Sequence, residues 1–184
     1  MKTKASKSSK DENAICKKFF LIGMMGSGKS YWAEQLKRKT KLQTYDLDSL
    51  VEIMEEKSVA EIFEQNGEPY FRKAETKMLH LFTEKKQFIL ACGGGTPCFN
   101  NNMAWMNKQG ITIWLDEPVE RLEQRLSKEI DARPLVQAHS SNNTHDFIKE
   151  KLAERQPYYQ LATYHLKGEE INLKNFQKII QLHA

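Results

Sequence analysis

The chain has 184 residues, 40% of them hydrophobic and 28% charged, a balance that suits one soluble domain with a core of its own. No apolar run approaches the roughly 18 residues of a membrane span, the longest being Phe19-Phe20-Leu21-Ile22. The net charge is +4 and residues 1–18 carry all of it, so the rest of the chain is neutral on balance and offers no basic footprint for nucleic acid.

Residues 1–17 are rich in Lys and Ser and lack the apolar stretch of a signal peptide, so they read as a disordered basic tail before a single domain over 18–184. Cys16, Cys92 and Cys98 are odd in number and fit no disulfide framework or zinc spacing, as expected for reduced thiols in a cytoplasmic protein. The first strand is expected at residues 19–22. It runs into Gly23-Met24-Met25-Gly26-Ser27-Gly28-Lys29-Ser30, a complete G-x-x-x-x-G-K-[ST] phosphate loop, with a helix starting at Lys29. Glycines let successive backbone N–H groups face phosphate oxygens, Lys29 reaches the β- and γ-phosphates, and Ser30 offers an oxygen to Mg²⁺. The loop alone does not name the acceptor. The base-reading Asn-Lys-x-Asp motif of GTPases is not met, since Asn107-Lys108-Gln109-Gly110 lacks the Asp.

A second strand, at residues 42–45, leads to Tyr45-Asp46-Leu47-Asp48, whose carboxylates serve either as helix caps or as ligands to magnesium-bound water and a substrate hydroxyl. Ser58 and Glu61 have capping-box spacing at the start of a helix that brings Phe63 to one face. Farther on, Arg72 and Glu75 stand three apart and can pair on a helix. A third strand at 88–91 precedes Cys92-Gly93-Gly94-Gly95-Thr96, where three glycines admit a ligand close to backbone amides. A fourth strand follows at 111–115, then a helix with Pro118 in its first turn that runs to about 127. Arg133-Pro134-Leu135 lies in an aperiodic stretch. Residues 146–161 read as a helix kinked or broken at Pro157, 164–166 as the fifth strand, and 175–183 as a closing helix. This α/β alternation implies three layers, a parallel sheet covered on both faces, with ligands beyond the carboxyl ends of its strands.

The ordered set of motifs resembles the shikimate kinase family from about Lys18 to the C-terminus. It comprises the phosphate loop, Asp46-x-Asp48, Ile62-Phe63 with Gly67-Glu68, Phe71-Arg72 with Glu75, Gly93-Gly94-Gly95, Arg133-Pro134-Leu135, and Arg155 with Tyr159. The resemblance implies a P-loop kinase fold around a five-stranded parallel sheet, with a substrate-binding segment at about 47–75 and a lid at about 127–143. It implies a monomer that uses ATP and Mg²⁺ to phosphorylate the 3-hydroxyl of shikimate. It makes Gly26, Ser27, Gly28, Lys29, Ser30, Tyr31, Arg125 and Arg133 the ATP contacts, and Asp48, Arg72, Gly94, Gly95 and Arg155 the shikimate contacts. Ser30 and, through water, Asp46 are the magnesium side, and Lys29, Asp48 and Arg133 the catalytic set. Asp48 either positions the attacking hydroxyl or also takes its proton. Glu75 orients Arg72, and Phe63 and Phe71 wall the ring. Three features depart from the family pattern: Tyr31 stands where a Thr is usual, the lid continues as the polar stretch 136–143, and Gly168-Glu169-Glu170-Ile171-Asn172 replaces an Arg-rich adenine-side loop. The rivals are another small-molecule kinase of this fold, such as a gluconate kinase, and an inert nucleotide-binding regulator.

Overall fold

The computed structural model describes residues 17–127 and 144–183. Five strands, β1 (Lys17–Ile22), β2 (Thr44–Asp46), β3 (Gln87–Ala91), β4 (Ile111–Asp116) and β5 (Tyr164–Lys167), form one sheet in the order β2-β3-β1-β4-β5, every pair parallel. The connecting helices are α1 (Lys29–Lys39), α2 (Leu47–Glu55), α3 (Val59–His80), α4 (Asn102–Gln109), α5 (Val119–Leu126), α6 (Thr144–Tyr159) and α7 (Leu173–Leu182).

The strand sequences explain the layers. Side chains alternate along a strand, so Phe19 and Leu21 face one side and Phe20 and Ile22 the other. Phe19 and Leu21 pack with Ile89, Ile113, Leu115 and residues of α1 and α7 such as Leu36 and Phe176. Phe20 and Ile22 pack with Phe88, Leu90, Trp114 and residues of α3, α4 and α6 such as Leu79, Met106 and Tyr159. Both faces are covered, which is why β1 is apolar without interruption and why Phe19 through Ile22 are 0% exposed. The chain leaves β1 for β2 on one side, returns to β3 between them, and then crosses to β4. The carboxyl ends of β1 and β3 therefore flank the point where the winding reverses, the place where such sheets hold ligands.

Two smaller clusters build what surrounds that point. Val51, Ile62, Phe71 and Ala74 tie α2 to α3. Met24 and Met25, the first variable positions of the phosphate loop, are buried with Leu122 and Leu126 of α5 and Phe147 and Ile148 of α6, which anchors the loop. At the start of α3 both halves of the capping box form: Ser58 Oγ accepts from Glu61 N at 3.2 Å, and Glu61 Oε2 accepts from Ser58 N at 2.8 Å. Gly67 interrupts α3 with φ 78° and ψ 168°, and Pro69 sits in the first turn of the resumed helix, where its missing N–H costs nothing.

Some boundaries differ from the sequence expectation. Pro157 neither kinks out nor ends its helix; it falls in the last turn of α6, which runs on to Tyr159. Pro118 is the N-cap of α5 and stands just before its first turn. Strand β2 starts at Thr44, two residues later than expected, because buried Leu42 belongs to the core but not to the ladder. The helix α4 has no counterpart in the sequence reading, and α2 is anticipated only by the possible helix caps at Asp46 and Asp48. Most of the expected tail and lid, Arg133 included, lies outside the described residues.

Candidate active site

The phosphate loop spans the turn from β1 to α1. Gly23, Gly26 and Gly28 all have positive φ, so the loop needs glycine at each. Lys29 opens α1 and curls back over the loop, its Nζ donating to the carbonyls of Gly23 and Met24 at 2.9 Å each. Ser30 Oγ donates to Asp46 Oδ2 at 2.5 Å, linking the loop to the end of β2. The other carboxylate oxygen of Asp46 caps α2, accepting from the amides of Asp48 and Ser49 at 3.1 and 3.3 Å. The two roles weighed for Asp46, cap and site residue, are thus compatible, one on each oxygen.

Asp48 lies in the first turn of α2 and faces the same cleft, of about 600 Å³, as Lys29, Ser30, Asp46, Gly93 and Gly94. Burial, reinforced by the nearby charges of Glu75 and Asp46, pushes its carboxyl up to about 6, although Lys29 and Arg72 pull the other way. The triple-glycine turn after β3 presses on the phosphate loop. A Cβ at Gly94 would sit 3.3 Å from the backbone N of Met25 and 3.1 Å from Nη1 of Arg155. Tyr159 secures this turn by donating its hydroxyl to Gly94 O at 2.5 Å.

Arg72, on the resumed part of α3, is 5% exposed. Its Nη1 donates to Glu75 Oε2 at 3.0 Å, and Glu75 is itself fixed by the hydroxyl of Thr96. Its opposite edge is also occupied, Nε and Nη2 both donating to Glu68 Oε1 at 3.0 and 2.7 Å. The guanidinium carbon stands 5.2 Å from the Phe71 ring and 4.6 Å from the Phe99 ring, within cation–π range. Burial alone would weaken its hold on the proton, but Glu75 and Glu68 more than offset this and keep it charged. Gly95 is where the fit is closest: a Cβ there would meet Nη2, Cζ and Nη1 of Arg72 at 2.5–2.7 Å. Phe63 packs on Phe71 with ring centroids 4.9 Å apart. Arg155, on α6, is 8% exposed and sits beside Met24 and Gly94. Cys98 is no nucleophile here, since burial pushes its thiol up to about 11 despite Arg155 and Arg72 nearby.

On the far side of the loop, Arg125 Nη1 donates to Gly26 O at 2.9 Å and Nη2 to Glu117 Oε1 at 3.0 Å. Glu117, 4% exposed at the end of β4, also accepts from Arg121 Nη1 at 3.1 Å, and Arg121 reaches Glu169 at 2.8 Å. Tyr31, Trp32, Arg121 and Ile171 complete this rim of the cleft. Tyr31 is 60% exposed and meets Trp32 edge to face. The structure therefore gathers Lys29, Ser30, Tyr31, Asp46, Asp48, Gly94 and Arg125 along one cleft, with Arg72, Gly95 and Arg155 behind the triple-glycine turn. Sequence reasoning missed Glu117, Arg121, Phe99 and the pairing of Glu68. All but Phe99 had a signal: Glu117 and Arg121, like Glu68 and Arg72, stand at the i,i+4 spacing that favours an acid before a base. Nothing in the spacing marked Phe99. Among the described residues no cluster of His, Cys, Asp and Glu forms a metal cage, and no helix is long and apolar enough to cross a membrane.

Comparison with known proteins adds identity to this geometry. The family model described as shikimate kinase matches residues 25–183. A shikimate kinase from Phocaeicola vulgatus is 39% identical over 157 residues, covering 85% of this chain and 90% of the relative. One from Parabacteroides distasonis is 37% identical over 155 residues, covering 84% and 90%. Among solved structures, shikimate kinase from Bacteroides thetaiotaomicron superposes with a TM-score of 0.80 at 34% identity, covering 90% of this chain and 95% of the other. The enzyme from Acinetobacter baumannii, solved in complex with shikimate, gives 0.77 at 30% identity, covering 90% and 89%. A gluconokinase from Sinorhizobium meliloti, covering 91% of this chain and 95% of its own, gives 0.56 at 10% identity and so shares the fold alone.

Proposed function

The chain belongs to the shikimate kinase family and is a P-loop kinase acting on an alcohol; we propose that it transfers the γ-phosphoryl group of ATP to the 3-hydroxyl of shikimate, giving shikimate 3-phosphate on the way to chorismate and the aromatic amino acids. One observation carries this reading beyond membership. The triple-glycine turn abuts the phosphate loop at Met25 and Gly94, so a phosphate donor and a hydroxylated acceptor held there meet in one cleft containing Lys29 and Asp48.

Phosphoryl transfer passes through a loose transition state, so the residues act mainly by positioning and by offsetting charge. Lys29 exchanges the carbonyls of Gly23 and Met24 for phosphate oxygens, alongside the amides of Gly26, Ser27, Gly28 and Ser30. Ser30 and Asp46 are hard oxygen donors side by side, a set that suits Mg²⁺, with Asp46 acting through water. Held there with ATP, Mg²⁺ would supply charge to offset the phosphates. Arg125 and Tyr31 take the nucleotide beyond the loop. Arg72 and Arg155 hold the substrate carboxylate, for which a planar guanidinium is well shaped. The amides of Gly94 and Gly95 support the ring, and Asp48 aligns the 3-hydroxyl. Arg133, outside the described residues, completes the charge neutralisation. We read the protein as a cytoplasmic monomer that binds neither nucleic acid nor membrane, in keeping with a body whose charge is balanced after residue 18.

The test is ADP release from MgATP with and without shikimate, with gluconate and nucleoside monophosphates as controls. Stimulation by shikimate alone is expected. Stimulation by gluconate instead would overturn the acceptor, and binding of ATP without turnover on any acceptor would favour the regulator.

A further inference from the structure

The two carboxylates on Arg72 are not equivalent. Glu75 is fully buried, 0% exposed, and fixed by Thr96 as well as by Arg72. Glu68 has a side chain 43% exposed, and no other hydrogen bond of its carboxylate is found among the described residues beyond those to Arg72. It directly follows Gly67, where α3 is interrupted, so it sits at the start of a resumed helical segment and not within a continuous one. Yet it engages more of the guanidinium. Nε and Nη2 together form one of the two edges of the guanidinium that can receive a carboxylate bidentately, and one oxygen of Glu68 engages both. Glu75 takes only Nη1.

Resting on the reading of Arg72 as the clamp for the substrate carboxylate, we propose that Glu68 is an internal competitor that stands in for that carboxylate and sets the affinity for shikimate. A ligand carboxylate reaching the two-donor edge displaces Glu68 into solvent, and its half-exposed position gives it somewhere to go. Glu75 stays, so Arg72 remains neutralised and in place while the exchange happens. The exchange nearly balances one charge-assisted contact against another. Net binding then depends on what shikimate adds elsewhere, its ring hydroxyls at Asp48 and its contacts at Gly94 and Gly95. The cost of the design is a weaker ground-state complex, with no effect on the transfer step.

The experiment is Glu68→Gln, which keeps the shape but removes the competing charge. Shikimate binding is measured by calorimetry, with KM and kcat from ADP release at saturating MgATP. The dissociation constant and KM for shikimate should fall roughly three- to fivefold, as expected for losing a partly exposed ion pair, while kcat and the KM for ATP stay within twofold. Inhibition by benzoate, a ring carboxylate without hydroxyls, should strengthen by the same factor, and binding of shikimate methyl ester should not change. Glu68→Ala should reproduce the gain if the missing charge is its cause. A shikimate KM that is unchanged or raised in both variants overturns the proposal and makes Glu68 a brace for Arg72. Arg72→Ala keeps the two readings apart. If it raises the shikimate KM while the Glu68 variants do not lower it, only the competitor role falls; if it leaves the shikimate KM alone, the clamp falls with it.

Discussion

Gly95→Ala is the sharpest perturbation of the substrate site because only one thing changes. Gly95 has φ −89° and ψ −16°, ordinary for alanine, so the backbone carries no strain. If anything, the smaller entropy of the unfolded chain favours the variant by about 0.4–1 kcal/mol. The new methyl, however, falls 2.5–2.7 Å from three atoms of the Arg72 guanidinium, where ordinary contact begins at 3.4 Å. The group must retreat by close to an ångström. It has little room, being held by Glu75 and Glu68 at 2.7–3.0 Å and flanked by the rings of Phe71 and Phe99. A displacement of that size misaligns a bidentate charged contact worth about 1.5–3 kcal/mol, which corresponds to roughly a 10- to 100-fold rise in the shikimate KM. The KM for ATP should stay within twofold, because the phosphate loop is untouched. Steady-state ADP release with each substrate varied in turn reads both numbers, and a thermal melt checks the fold. A shikimate KM within twofold of wild type, in a folded variant, would refute the argument. It would mean that the guanidinium is not held against Gly95, or that it does not hold the substrate.

Lys29→Met should abolish transfer and leave a folded protein, since the thioether nearly keeps the reach of the side chain while losing the charge and the donors to the carbonyls of Gly23 and Met24; retained turnover in a single-turnover assay would remove Lys29 from the mechanism. The raised carboxyl of Asp48 makes kcat/KM for shikimate fall as pH drops through about 6, and Asp48→Asn should lower activity and lose that limb of the pH profile. The same shift has a stability sign. The folded state binds the Asp48 proton more tightly than the unfolded chain does, so its penalty is absent below 3.8, grows up to about 6 and is full above that. Asp48→Asn should therefore stabilise the protein by up to about 3 kcal/mol at pH 8 and by less at pH 5, measured by denaturant unfolding at both. Equal effects at the two pH values would show that the carboxyl is not perturbed by its site.

What the sequence made legible was whatever is local. The phosphate loop is eight consecutive residues whose fixed positions, Gly23, Gly28, Lys29 and Ser30, are each needed by its chemistry, and β1 announces itself because four adjacent apolar residues must be buried on both faces. The capping box of Ser58 and Glu61 is likewise a contact between near neighbours, and it forms as written. The helix α4 was hidden for a local reason too. Asn102–Gln109 is a short helix of weak amphipathicity, and only the placing of Met103 and Met106 under the sheet makes it pay as structure. Before Leu47–Glu55 the aspartates read either as caps or as site residues, and Asp46 is both.

The site was legible as a set of residues and illegible as a circuit. Phe99 reaches Arg72 from a turn 27 positions away, and Thr96 fixes Glu75 across 21. No spacing rule covers such distances, because it is the packing of α3 against the turn after β3 that brings them together. The pairing of Glu68 with Arg72 was within reach, four residues apart, yet the same spacing occurs on many solvated helix faces where it means little. What separates this pair from those is burial of the guanidinium against Gly95, a fact of tertiary structure. The contrast between an exposed Glu68 and a buried Glu75 follows from the interruption at Gly67, which leaves the first carboxylate at a helix start while the second lies about two turns inside. A single glycine in α3 thereby divides two similar residues into a fixed support and a movable one.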